Sequence, residues 1–151
     1  AAIRGEGTTP QYLPIEFPAV ADLDVVTALR SAARDLKLPY HVGIAQSKDS
    51  FYGEVERTRM PLAGRLEERW KAWIAGGAVC SEMESAALFI LSALYRKRAG
   101  GVMLIVNDDD LAEINAAETT KTMPHYDTEA VIHVAVAALR LLITQDRAAQ
   151  A

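Results

Sequence analysis

An α/β fold built on a mainly parallel sheet is the architecture this chain of 151 residues predicts. Three observations carry it. Helical patterns and short apolar strand patterns alternate along the chain, which argues for a parallel sheet with helices on both faces. The candidate strands are apolar almost throughout, as strands covered on both sides are. Polar residues able to do chemistry gather where those strands end, the edge at which open α/β sheets bind ligands. Neither internal repeats nor low-complexity segments interrupt the pattern.

The elements follow in order. Ala1-Ala2-Ile3-Arg4 reads as the end of a strand with no polar leader, so the chain is expected to begin in the middle of a domain. Gly5 to Pro10 is a turn, and Pro14 and Pro18 make Tyr12 to Phe17 an ordered loop. Asp22 caps a helix running to about Leu38, with Leu23, Val26, Leu29, Ala33 and Leu36 along one face, and Pro39 stops it. His41 to Gln46 is a short apolar strand, followed by a loop from Ser47 to Gly53. From Gly53 to Pro61 the chain is charged and irregular, a surface lid. Leu66, Trp70 and Trp73 mark a helix that Gly76 and Gly77 end. A buried strand through Ala78, Val79 and Cys80 hands over to a helix from Glu84 to about Arg98. Gly100-Gly101 then turns into the strand Val102 to Val106, which ends at Asn107 to Asp110. After a polar stretch, a last helix spans about Asp127 to Gln145 and the residues from Arg147 fray.

Composition bounds the function. Half of the residues are hydrophobic and 24% are charged, enough for a proper core. A net charge of −4 and a pI near 5.4 argue against nucleic acid or an anionic membrane as partner. A single cysteine, Cys80, excludes an intrachain disulfide and fits a cytoplasmic location. No apolar run approaches the roughly 18 residues needed to span a bilayer, and the first residues do not resemble a signal peptide. His41, His125 and His133 show no zinc spacing, and no EF-hand pattern follows Asp108 to Asp110, so no metal is expected. No Ser-His-Asp or Cys-His arrangement is legible, and Cys80 reads as a small buried hydrophobe.

The stretch Ser81-Glu82-Met83-Glu84-Ser85-Ala86-Ala87 organises the rest. Two carboxylates flank a methionine where a strand meets a helix N-terminus, and unpaired N–H groups with the positive end of the dipole keep such carboxylates ionised. Acidic residues in a first turn are commonly caps. Here, however, they interrupt a run of buried types, and an ionised pair in that setting needs hydrogen-bond partners or a polar ligand. The loop from Asp49 to Tyr52, the Glu82 to Glu84 junction and Asn107 to Asp110 are expected to converge on one region.

These residues carry a resemblance. Arg4 to Thr9, Pro14 to Asp22, Asp49-Ser50-Phe51-Tyr52-Gly53, Arg59-Met60-Pro61, Trp70, Trp73 and Ser81 to Ala87 resemble, in order and spacing, the nucleoside phosphorylase family in its uridine phosphorylase branch. The similarity extends over essentially the whole chain. It implies a three-layer α/β/α sandwich with a mostly parallel or mixed central sheet, of which residues 1–151 form the C-terminal portion of a single domain whose N-terminal part is missing. It also implies phosphorolysis of uridine to uracil and ribose 1-phosphate, with no cofactor, inorganic phosphate as co-substrate, and a homo-oligomer of dimers or trimers of dimers. By resemblance Glu84 accepts from the ribose 2′- and 3′-hydroxyls, Met83 packs on the sugar and Glu82 supports them. Phe51 packs on the base, and Tyr52 and Asn107 join the substrate-binding set. The branch reads uracil with a lid Gln and an Arg. Glu54 follows Tyr52-Gly53 where that Gln is expected, and of Arg57 and Arg59 the second, beside Met60-Pro61, is assigned the base. Asp108 stands where purine-specific relatives carry a general acid, although a turn residue in an acidic loop is the simpler account. The family's phosphate loop lies upstream of the matched region, so the chain alone is expected to hold the ribose and base half of a site and not to complete phosphorolysis. Two alternatives stay open: a purine nucleoside phosphorylase or nucleosidase using Asp108, and a non-catalytic nucleoside-binding or oligomerising member of the fold.

Overall fold

The computed structural model describes residues 1–106 and 128–150. Three short strands, β1 (Ala2–Arg4), β2 (Ile44–Ser47) and β3 (Ala78–Glu82), form a parallel sheet in the order β1-β2-β3. The connections are helical. α1 (Leu23–Asp35) links β1 to β2, while the short α2 (Tyr52–Val55) and α3 (Ala63–Ala75) link β2 to β3. α4 (Ser85–Leu94) leaves the end of β3, and α5 (Thr128–Ala149) closes the described chain. This is the α/β class expected, with one isolated antiparallel bridge, Ala2 to Ala19, beside the parallel ladder.

Register puts the chemistry in rows. Arg4 pairs with Ser47, and Ser47 with Glu82, so one line across the C-terminal edge of the sheet carries a cation, a hydroxyl and a carboxylate. The row before it holds Ile3, Gln46 and Ser81. Just before β2 the Val79 side chain lies against the chain, and a Cβ on Gly43 would sit 2.6 Å from it. Gly77, at a φ of 89°, supplies the left-handed turn that carries α3 into β3.

Two apolar clusters hold the elements together. Ala28, Ala32 and Ala33 of α1 meet Val134, Ala138 and Leu142 of α5, the small residues on α1 letting the two helices approach closely. Ala86, Phe89 and Ile90 of α4 pack against Ala2 and Ala19.

Several boundaries differ from the sequence reading, each for a local reason. α1 stops at Asp35 rather than Leu38 because Lys37 takes a left-handed conformation (φ 56°), which lets the Leu38 N–H reach the Ala33 carbonyl at 3.0 Å. α4 stops at Leu94 rather than Arg98 in the same way, through Arg96 (φ 54°) and a Lys97 to Ser92 bond of 2.8 Å. Both are Schellman-type ends made without glycine, so composition did not announce them. The lid is more regular than expected and contains α2 and a 3₁₀ turn at Arg57–Arg59.

Two expectations are overturned. Val102 to Val106 forms no strand, for it pairs with none of the described strands. Val102 and Leu104 are half-buried while Met103 and Ile105 are exposed, so the alternation of a strand is present without a ladder to join. The final helix runs on to Ala149 where fraying was expected, and Arg98 grips Asp146 at 2.5 Å near that end. α5 is also long and apolar enough to cross a membrane by length and composition, although His133 and Arg140 break its apolar residues into short runs, as the sequence reading has it. Its polar residues are spread among two apolar stripes, one on α1 and one, through Ile132, Val136, Leu139 and Ile143, exposed.

The Asp22 side chain accepts from the Val25 N–H at 3.1 Å, capping α1 as the sequence predicts. Asp22→Ala is expected to lower unfolding free energy by about 1 kcal/mol in urea titration, whereas Asp24→Ala, in the first turn but making no capping bond, costs less than half of that. Equal losses would remove the cap from the account.

Candidate active site

The two carboxylates of the Glu82-Met83-Glu84 stretch have divided their roles. Glu82, half-buried at the end of β3, accepts from the backbone N–H of Glu84 at 2.7 Å and of Ser85 at 2.6 Å, and from the Ser47 hydroxyl. It is the cap of α4. Ser47 is fully buried, and its oxygen also accepts the Ala86 N–H at 2.9 Å, tying β2 to the same helix start. Burial alone would raise the Glu82 carboxyl, but the Ser47 hydroxyl and the N–H groups of Ser85 and Glu84 outweigh it and hold it below the ordinary carboxylate range.

Glu84 is left open. Its carboxylate is exposed, and its only described bond is a 3.2 Å contact with the Met83 N–H. Met83 beside it is exposed as well. The demand for partners that the sequence places on this acidic pair is therefore met by protein at Glu82 and left to solvent at Glu84.

The lid residues lie over the ends of β2 and β3. Phe51 and Tyr52 are half-exposed and meet edge to face, with ring centroids 5.6 Å apart at 82°. Glu54, only 8% exposed, takes the Lys48 ammonium at 2.6 Å and lies 2.6 Å from the Ser81 hydroxyl, which in turn is 2.7 Å from Gln46 Oε1. A carboxylate is accommodated where an amide was expected because Lys48 neutralises it.

The two lid arginines are not equivalent. Arg57 donates to Glu67 at 2.6 Å and to the Glu54 carbonyl at 2.9 Å, and its guanidinium lies 5.4 Å from the Trp70 ring centroid. Its bond to Glu67, followed by that of Lys71, holds the Glu67 carboxyl below its usual range. Arg57 fastens the lid to α3. The Arg59 side chain is 75% exposed and paired only with Glu56 on the same turn, among the contacts described.

At the end of β1, Arg4 donates to Thr9 Oγ1 at 2.9 Å and to the carbonyls of Leu13 at 2.8 Å and Phe17 at 2.6 Å, which orders the loop that the prolines predict. The Gly7 N–H donates to Asp49 at 2.8 Å, joining that loop to the one after β2. The structure thus joins Glu54 of the lid to Ser81, the residue before Glu82-Met83-Glu84, while Phe51 and Tyr52 are shown in contact with each other. Asn107 and Asp108, with Asp109 and Asp110, lie outside the described residues, as does His125.

Sequence reasoning missed Ser47, Lys48, Ser81 and Gln46. Their signal was a polar run, Gln46-Ser47-Lys48, closing an apolar strand, but only the parallel register shows that it faces Ser81-Glu82.

A cavity lies away from these residues. It encloses about 370 Å³ and is lined by the inner face of α1 (Val26, Leu29, Ala33), the starts of β2 and β3, and Val102 to Ile105; none of the lid or acidic residues borders it. Cys80 does. Burial, and then the Glu82 charge, push its thiol up, so it is a poor nucleophile and packs as a small apolar group. Among the described residues no three His, Cys, Asp or Glu side chains gather as metal ligands.

Comparison with known proteins gives a consistent result. The family model described as the Phosphorylase superfamily matches residues 1–143. Uridine phosphorylase of Treponema pallidum (strain Nichols) is 45% identical over 145 residues, covering 96% of this chain and 55% of that protein. Uridine phosphorylase of Escherichia coli (strain K12) is 38% identical over 146 residues, covering 94% and 56%. A guanosine phosphorylase of Halorubrum lacusprofundi is 34% identical over 104 residues, or 69% of this chain and 39% of that one. The chain spans about half the length of the curated uridine phosphorylases it matches.

The depressed Glu82 carboxyl sets a pH dependence with a definite sign. Its contribution to stability is complete above the ordinary glutamate value of 4.5 and is lost as pH falls through the lower folded-state value. Urea unfolding between pH 7 and pH 3 is expected to show this loss in the native chain and a smaller one in Glu82→Gln. Parallel curves would mean that the cap carries no titrating charge.

Proposed function

The chain belongs to the phosphorylase superfamily, and from that premise we propose that it supplies the ribose- and base-binding half of a uridine phosphorylase site. Similarity to uridine phosphorylases at 38–45% identity over most of the chain supports the reading. The observation that carries it is Glu84, an exposed carboxylate with one weak described bond, on a backbone that the Glu82 cap holds still.

The reaction breaks the C1′–N1 bond of uridine and forms a C1′–O bond to inorganic phosphate, releasing uracil. Positive charge grows on the sugar ring as the base departs. Glu84 accepts from the 2′- and 3′-hydroxyls, which orients the ribose and places a negative charge where the ring becomes positive. Met83 covers the sugar, and Glu82 acts through Glu84 by fixing the helix start. Phe51 packs on the base with Tyr52 at its edge. Arg59 is the lid cation available for the uracil oxygens, where negative charge collects on the leaving base; Arg57 holds the lid against α3. No cofactor enters this scheme. Phosphate as co-substrate and its binding groups are part of the proposal, as is the place of Asn107 in the substrate set. We also keep a homo-oligomer and a cytoplasmic location; the exposed apolar stripe of α5 supports the first.

A purine-directed reading rests on Asp108, read from the sequence, and on the similarity to a guanosine phosphorylase over 69% of the chain. Rates with uridine and with inosine, each with and without phosphate, separate the two.

In a preparation competent for phosphorolysis, Glu84→Ala is expected to lower kcat/KM for uridine by about a hundredfold, the loss of two charge-assisted hydrogen bonds at roughly 1.5 kcal/mol each. The defect should shrink with 2′-deoxyuridine, which lacks one of the hydroxyls. Unfolding free energy should stay within about 0.5 kcal/mol, as for other exposed positions. An unchanged kcat/KM would sink the ribose assignment.

A further inference from the structure

The lid carries a fastening that the reaction as described does not use. Lys48 and Glu54 form an ion pair at 2.6 Å with side chains only 13% and 9% exposed, between the loop after β2 and a helix of four residues. So short a helix has no stability of its own. One side-chain bond at its start, from the Gly53 N–H to the Ser50 hydroxyl at 2.9 Å, lies within the segment itself, and Phe51 and Tyr52 turn half of their surface to solvent. What holds it down is polar. The Lys48 ammonium donates to both Glu54 and Ser81, at 2.6 Å each, while Ser81 bridges Glu54 and Gln46 from the strand side. Gln46 is itself buried and faces Ser81 in the sheet register. All four groups interlock at the ends of β2 and β3, next to Glu82.

We propose that Lys48 and Glu54 are positioning residues, whose buried ion pair docks the 51–60 segment on the sheet and so sets where Phe51 and Tyr52 stand over the sugar site. Glu54 then reads no base. Its engaged oxygen already takes two donors from protein, and the residue is only 8% exposed, so little of the carboxylate faces a base. Lys48, spent on Glu54 and Ser81, is not an anion site. The other end of the segment is secured separately by Arg57 on Glu67 and Trp70, so loss of the ion pair should free residues 51–56 before it frees the rest. The consequence for the base rests on the nucleoside reading above; the docking does not.

Hydrogen exchange of the full chain tests the docking without substrate. Lys48→Met and Glu54→Gln each leave a buried partner uncompensated and should speed amide exchange in 51–56 by roughly tenfold or more, with α1 and α5 unchanged. The reversed pair, Lys48→Glu with Glu54→Lys, should regain most of the protection. Unchanged exchange in the single variants, a rise spread over α1 and α5, or a reversed pair no better than either single would overturn the docking. Uridine and inosine binding then test the positioning role. Both single variants should weaken uridine several-fold and leave the uridine-to-inosine ratio as it was. A ratio altered by Glu54→Gln but not by Lys48→Met would make Glu54 a base reader and refute the proposal. Absence of nucleoside binding in the unmodified chain would remove the nucleoside reading, and the exchange result would still decide the docking.

Discussion

The Glu82 carboxylate, held by a buried serine hydroxyl on one side and by two backbone N–H groups on the other, is the constraint on which the functional edge depends. It does three things at once. It satisfies N–H groups that the start of α4 would leave unpaired. Through Ser47 it locks β3 to β2 at their last paired residues. Because Ser47 also accepts the Ala86 N–H, the strand, the turn and the helix share one polar junction behind the apolar cluster of Ala86, Phe89 and Ile90. Even a half-buried carboxylate is costly without donors, and several of them make it tolerable. The junction supplies them, which is why Glu82 stays ionised despite its burial.

The other two strands end in the same manner. Arg4 terminates β1 by gathering loop carbonyls, and Lys48 follows β2 by neutralising Glu54. In each case a charged side chain at a strand end is answered by a loop folding back on it. A parallel sheet needs such anchors, since its strand ends carry backbone groups that no neighbour in the ladder satisfies. The result is a rim of hydrogen-bonded charges in which Glu84, among the described residues, stands out by having almost no partner.

Much of this was legible in the chain. Apolar runs bounded by Gly and Pro gave the three strands, Asp22 the start of α1, and the Trp70-Trp73 spacing α3, because in each case the signal is local. What escaped is non-local. Val102 to Val106 has the composition and alternation of a strand, yet strand identity belongs to a pair of segments and not to one. Helix ends at Lys37 and Arg96 escaped because left-handed caps made by long polar residues carry no compositional mark. The acidic pair was located, but which member caps and which stays open follows from where the Ser47 hydroxyl sits, and only the register reveals that. Lys48 was hidden for the same reason, its partner lying six residues ahead on a turn that reads as surface.

The separation of cap from ligand group bears on how such a site could work. A carboxylate that anchored the helix could not also follow a sugar through a change of ring geometry, for each hydrogen bond given to the sugar would be taken from the fold. With the anchoring done by Glu82, Glu84 keeps its acceptor capacity while its backbone is fixed by bonds that no substrate disturbs. The entropy of placing the backbone is then met in folding and not again in binding. The cavity beneath α1 is lined by Val, Leu and Ala side chains with Arg30, Tyr40, His41 and Ser85 among them, and no carboxylate among the described residues lines it to accept from a pair of ribose hydroxyls. On the reading proposed above, a polyhydroxylated ligand would meet at the strand ends the least committed acceptor among the described residues there, Glu84.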